Sequence, residues 1–225
     1  FQNFPTWMIV SFYVVGALAS AIFLYGVWTH IRKYRRGVRS GAWSPFWPRF
    51  KLMVTTVLSH RTIKRRAETA GRKHSWIFYG FTLLFIGTSI ITLEHDILEP
   101  LTGLTFWYGW FYLVFSAVLD MAGVALIAGL LYMMYRRKWL ALPRLDYTRP
   151  DRSPSDPDYD RSGYRREDWA FLWALIAIAF TGFLLEASRL VWLQGDPVVW
   201  DYRWFSPVGT ATAYLMKALG LGPDG

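Results

Sequence analysis

Four long apolar runs, separated by charged segments, set the pattern of this chain. Positions 7–28 and 75–93 contain no charged residue, 106–135 contain only Asp120, and 169–193 contain only Glu186 and Arg189. A bilayer's hydrocarbon core is about 30 Å thick and a helix rises about 1.5 Å per residue, so each run is long enough to cross. None shows the polar face of a soluble amphipathic helix. The pattern predicts an all-α polytopic membrane bundle of four spans, forming one membrane domain over 1–225.

The segments between the spans carry weaker patterns. Residues 48–66 read as an interfacial helix. Phe50, Met53, Val54, Val57 and Leu58 fall near one face, and Lys51, Arg61, Lys64, Arg65 and Arg66 are available to anionic headgroups or to an acidic soluble partner. Residues 146–160 mix Pro, Asp, Ser and Arg and read as a surface loop. Residues 208–221 are short and Gly-rich; they read as an outer-surface helix or the start of a further element. Tryptophans cluster near the span ends, where amphipathic rings anchor to the interface.

Charge orients the bundle. Residues 31–73 hold thirteen Lys or Arg and one acid, and residues 136–168 hold nine against seven acids. Residues 94–105 hold Glu94, Asp96 and Glu99 and no Lys or Arg. The positive-inside rule then puts both basic loops in the cytoplasm and the N-terminus outside, in the cell's inner membrane. These loops account for the net charge of +9, so nucleic-acid binding is set aside. The run at 7–28 has no basic leader and no small-residue cleavage site; it is read as a span, not a secretory signal. With no cysteine, the chain itself holds no thiolate-ligated iron–sulfur cluster and no covalently attached c-type haem.

Candidate chemistry rests on few residues. The chain has four histidines: His30, His60, His74 and His95. Histidine is rare inside membrane spans, and where it occurs its imidazole commonly serves protons or a metal. His74 stands at the mouth of the second span and is the first candidate for an axial ligand of b-type haem. His95, at the other end of that span, lies about 31 Å away along a helix, so it serves a separate site or is a solvated rim residue. His30 ends span one on the same inner side as His74, as a second imidazole at that level or as an ordinary interface residue. His60 lies in a basic loop. Asp120 and Glu186 are carboxylates within spans: a proton path or quinone site on one reading, a structural hydrogen bond and a Glu186–Arg189 helix pair on the other.

Some of these motifs are familiar. Lys73-His74-Ser75-Trp76-Ile77-Phe78-Tyr79-Gly80-Phe81, followed by Leu84-Phe85-Ile86-Gly87-Thr88, resembles span two of the membrane domain related to the respiratory nitrate reductase gamma subunit. Phe111-Tyr112-Leu113-Val114-Phe115-Ser116 with Leu119-Asp120 and Gly123, and Thr181-Gly182-Phe183-Leu184-Leu185-Glu186 with Arg189-Leu190, are similar too. The likeness is greater to the branch joined to a cysteine-rich iron–sulfur protein of the heterodisulfide reductase D type, the electron-transferring flavoprotein/quinone oxidoreductase kind. The resemblance implies a cytochrome b-like subunit holding one or two b haems and passing electrons between a cytoplasmic iron–sulfur partner and membrane quinone. Some such partners take electrons from electron-transferring flavoprotein. His74 would be the span-two ligand of the haem nearer the cytoplasm. Two departures follow. The family's second span-two ligand falls at Leu84, and its fifth span, with further histidines, is not within the chain. The missing helix lies beyond Gly225, or another polypeptide supplies it, or the haem is lost. The alternative function is a cofactor-free membrane anchor that docks a soluble redox enzyme.

Overall fold

A computed structural model describes residues 5–36, 45–66, 68–106, 108–140, 147–148, 152–156 and 159–222. Every element of more than one residue among them is helical. Four helical stretches are long and apolar enough to cross a membrane: Thr6–Tyr34, Thr69–Thr102, Gly109–Lys138 and Ser162–Trp192. The chain is therefore an all-helical, multi-pass membrane protein. The helices overrun the apolar windows at both ends because charged and aromatic end residues still favour helix once a span is nucleated.

The chain divides into two compact units, Phe1–Thr55 and Thr56–Gly225. The first holds α1 (Thr6–Tyr34) and most of α2 (Phe46–Ser59). Helix α1 follows Pro5, whose extended backbone suits a helix start, and ends on Arg32 and Lys33, cations that complement the carbonyl end of the helix dipole. At the head of α2, Phe46 stacks on Phe50 at 5.7 Å and on Trp47 edge-on at 5.3 Å.

The second unit contains α3 (Arg61–Arg66), α4 (Glu68–Thr92), α5 (Glu99–Thr102), α6 (Gly109–Lys138), α7 (Arg165–Trp192), α8 (Pro197–Asp201) and α9 (Pro207–Ala218). The expected interfacial helix over 48–66 is interrupted. His60, with a positive φ of 52°, turns the chain between α2 and α3. The acidic segment after span two is not a plain loop. Leu93–Leu98 continue α4 as a π-helical turn, and α5 follows until Gly103, at φ 69°, ends it in the left-handed conformation.

Helix α4 runs antiparallel along α6, and glycine sets the distance between them. A Cβ added at Gly80 would lie 2.6 Å from the carbonyl oxygen of Ala122, and one added at Gly129 would lie 2.6 Å from Ile77 Cγ1 and 3.0 Å from the Lys73 carbonyl. Backbones come this close in membranes because association there rests on packing, not on exclusion of water. Leu126, Leu130 and Ala179 are buried at the centre, with Ile77, Leu84, Leu175 and Ile176 against them. Leu84 thus works as a packing residue between α4, α6 and α7. At the far end, Ala187, Leu190 and Val191 of α7 close on Ala213 of α9, with Met216 beside them. The segment at 208–221, whose role the sequence leaves open, is a helix docked against α7.

The loop before α7 is tied down at several points. Tyr147 donates to Asp168 (2.9 Å), and Arg137 reaches both the Tyr147 hydroxyl and Asp168 at 3.0 Å. Burial, then the bond to Asp168, pushes the Tyr147 hydroxyl above its ordinary value, so it stays a donor at neutral pH. Thr148 bridges Asp160, and the Arg161 amide donates to the Tyr147 carbonyl at 2.7 Å. The surface loop read over 146–160 is held in place at these points.

Candidate functional site

The end of the bundle that carries Lys73, Arg136–Lys138 and Arg165 is strongly basic, and His74 sits there in the second turn of α4. Its imidazole is not alone. His74 Nδ1 lies 3.3 Å from His60 Nε2, and His60 Nδ1 lies 3.0 Å from the Val57 carbonyl oxygen. A carbonyl only accepts, so His60 Nδ1 carries a proton. In a neutral ring His60 Nε2 is then an acceptor, and His74 Nδ1 must be the donor. This assigns both tautomers from the hydrogen-bond pattern. It leaves the His74 Nε2 lone pair without a hydrogen-bond partner among the described residues.

The surroundings hold this pair. The His60 ring is 5% exposed and packs on Phe78 at 4.4 Å and on Tyr79 at 5.8 Å between centroids. Tyr79 donates its hydroxyl to the Leu58 carbonyl, fastening the end of α2 to α4. Gly71 lets the α3 backbone approach, since a Cβ there would fall 2.7 Å from Lys64 Cα. Lys73 covers the face of Trp76, with its Nζ 3.4 Å from the ring centroid. The sequence reading ranks His60 last of the four histidines as a site residue. The available signal is small: two of four histidines stand fourteen residues apart across one helix start.

His30 is exposed near the end of α1, in the first unit. His95 lies in the π-helical turn at the opposite end of the second unit, with its Nδ1 2.9 Å from Glu99 Oε2. That contact fixes one ring nitrogen and leaves the other. No group of three or more His, Cys, Asp or Glu suited to a metal ion occurs among the described residues.

Asp120 and Glu186 both lie toward this opposite end. Asp120, 5% exposed, accepts from Ser206 Oγ at 3.2 Å and from the backbone amides of Val208 (2.9 Å) and Gly209 (3.3 Å). These amides open α9, so Asp120 caps that helix from another helix, where its charge also suits the dipole. Glu186 makes a bidentate pair with Arg189: Nε to Oε2 at 2.9 Å and Nη2 to Oε1 at 2.7 Å. A Cβ on Gly209 would touch Glu186 Cγ at 2.7 Å, so the α9 entry separates the two acids by one backbone.

Glu186 and Arg189 also face a cavity of about 600 Å³. Tyr108, Trp110, Tyr112, Tyr202 and Phe205 supply aromatic walls; Ser116, Ser206 and Arg203 add polar groups. The Arg203 guanidinium lies 4.5 Å from the Trp200 ring and 4.8 Å from Trp204. Mostly apolar walls with a few convergent polar groups suit a flat organic ligand. Asp120 does not line this space.

Over 198 residues the chain is 25% identical to an EtfAB:quinone oxidoreductase of Syntrophomonas wolfei subsp. wolfei (strain DSM 2245B / Goettingen). The alignment takes in 84% of this chain and 23% of that protein, so the chain spans less than a quarter of that relative's length. No family model and no solved structure matches it significantly.

Proposed function

We propose that this chain is the membrane part of a quinone-linked redox complex, with His74 as an axial ligand of b haem at the basic end. The observation that carries this is the His60–His74 pair. It turns the His74 Nε2 lone pair outward and gives the other ring nitrogen an acceptor, the arrangement a metal-ligating histidine needs. The similarity to an EtfAB:quinone oxidoreductase supports the same reading. The residues present fit half of a haem site; the second axial ligand comes from outside the His60–His74 cluster. A b haem, when bound, supplies one-electron transfer, while the chain fixes the ligand, excludes water and sets the potential.

Electrons would pass between a cytoplasmic iron–sulfur partner at the basic end, one served in turn by electron-transferring flavoprotein, and quinone in the membrane. The aromatic cavity beside Glu186 and Arg189 is the quinone site we favour. There Arg189 and the aromatic walls orient the ring, and Glu186 is the group placed to hold or give a proton. Asp120, whose oxygens already serve three donors, has the structural task of capping α9. His74 and this cavity lie at opposite ends of the bundle, and tunnelling weakens steeply with distance. A second carrier at the cavity's end is therefore required, and His95 is the imidazole at that level.

The runner-up is a cofactor-free anchor, favoured by the absence of a second imidazole facing His74 Nε2 among the described residues of the second unit. Optical spectra of the purified protein separate the two. A reducible b-type Soret and α band in the wild type, reduced or lost in His74→Ala, is expected. No such band leaves the anchor; bands unchanged in His74→Ala remove this ligand.

A further inference from the structure

The corner at His60 has features that the turn alone does not call for. Its φ of 52° lies in the left-handed region, where glycine or asparagine would make the same turn more easily. Yet an imidazole stands there, 5% exposed, with both ring nitrogens engaged: one on the Val57 carbonyl, one on His74. Phe78 and Tyr79 pack its ring and keep it from swinging away. Non-glycine residues held in such a conformation concentrate where function needs a side chain in one place.

We propose that His60 is the positioning residue of His74, and that it tunes the group His74 binds. This rests on the haem reading above. His60 Nε2 accepts the His74 Nδ1 proton, which fixes the orientation of the His74 ring and the tautomer that presents Nε2. The same bond raises the basicity of His74, because an imidazole that gives up part of its N–H proton is the stronger electron donor. A stronger axial donor favours oxidised iron, so His60 lowers the midpoint potential of the haem on His74. The Val57 carbonyl, at the far side of His60, anchors the relay to the end of α2. A backbone carbonyl, an imidazole and the ligand imidazole thus form one directed chain.

The test compares wild type, His60→Gly and His60→Gln as purified membrane proteins with their partner subunits. Glycine suits the left-handed corner, so His60→Gly removes the ring without adding backbone strain. Glutamine offers an amide oxygen as a replacement acceptor. Redox titration of the b band and electron paramagnetic resonance of the ferric state are the readouts. Expected for His60→Gly is a higher midpoint potential and an altered ferric spectrum with haem still bound; His60→Gln returns both toward wild type. A haem-loaded His60→Gly with the wild-type potential and spectrum overturns the proposal while leaving His74 as ligand. A wild type with no b band removes the haem reading and this proposal together. Nitrogen NMR of ¹⁵N-histidine-labelled wild type needs no variant: each ring is expected to carry a proton on Nδ1, with His74 Nε2 unprotonated, and a His74 protonated on Nε2 overturns the relay.

Discussion

A carboxylate inside an apolar bundle must find donors, and Asp120 finds three of them at the entry to α9. Asp120→Ala would strand the Ser206 hydroxyl and two amides. A loss of about 1–3 kcal/mol is expected from such stranded buried groups, read as a lower melting temperature in detergent; unchanged melting would contradict the capping role. Asp120→Asn, which keeps an acceptor, should fall between. Glu186 differs: its oxygens are committed to Arg189, but the pair faces the cavity. If this cavity is the quinone site, Glu186→Gln should slow quinone turnover while any haem content stays at the wild-type level; turnover at the wild-type rate would take Glu186 out of a proton path. The Glu186–Arg189 pair is legible in the sequence because three residues bring side chains onto one helix face. Asp120's partners are not, since they lie 86 to 89 residues away. His60 is hidden for a different reason: its partner is only fourteen residues away, but its role depends on a corner that folds a basic loop back onto α4.

At the scale of elements, the spans were readable because nineteen or more apolar residues admit few alternatives to a membrane helix. Their contacts were not. Which glycines bring helices together depends on register: Gly80 and Gly129 lie against opposing backbone, whereas Gly182 has no neighbour within 4 Å of an added Cβ. Gly80→Val should therefore push α4 from α6 and cost about 1–3 kcal/mol or more through overpacking, while Gly182→Ala should be neutral or mildly stabilising. Equal melting temperatures for the two variants would contradict this packing. The lead-in to α7 has a pH signature. The Asp160 carboxylate accepts from the Ser162 amide at 2.8 Å, and this bond holds its carboxyl below the ordinary value of 3.8. A lowered folded value gives stability present above the unfolded value and lost as pH falls through the folded one. Acid below about pH 4 should loosen the loop before α7, seen as faster proteolysis there, and Asp160→Ala should remove that dependence. A wild-type loop as resistant at acid as at neutral pH, or a variant that keeps the same pH dependence, would count against it.

For the molecule as a whole, charge and cavity define two ends of the second unit. One end gathers the Lys and Arg that the positive-inside rule assigns to the cytoplasm, the other the aromatic cavity, Glu186 and His95. If a cytoplasmic iron–sulfur partner docks at the basic end, its retention should weaken as salt rises, because exposed charges are screened over about 10 Å at 0.1 M. Changing Arg61, Lys64 and Arg65 to Gln together should weaken it further; retention indifferent to both would leave these residues to the lipid headgroups alone. The four-span architecture follows from the sequence pattern, whereas the site does not, because it is made by a turn and a hydrogen-bond relay that no periodicity encodes. The most direct measurement is an experimental density map of the chain in its membrane complex. A porphyrin with its iron bonded to His74 Nε2, and His60 behind the same ring, is the expected result. Lipid or packed side chains at that nitrogen would contradict it.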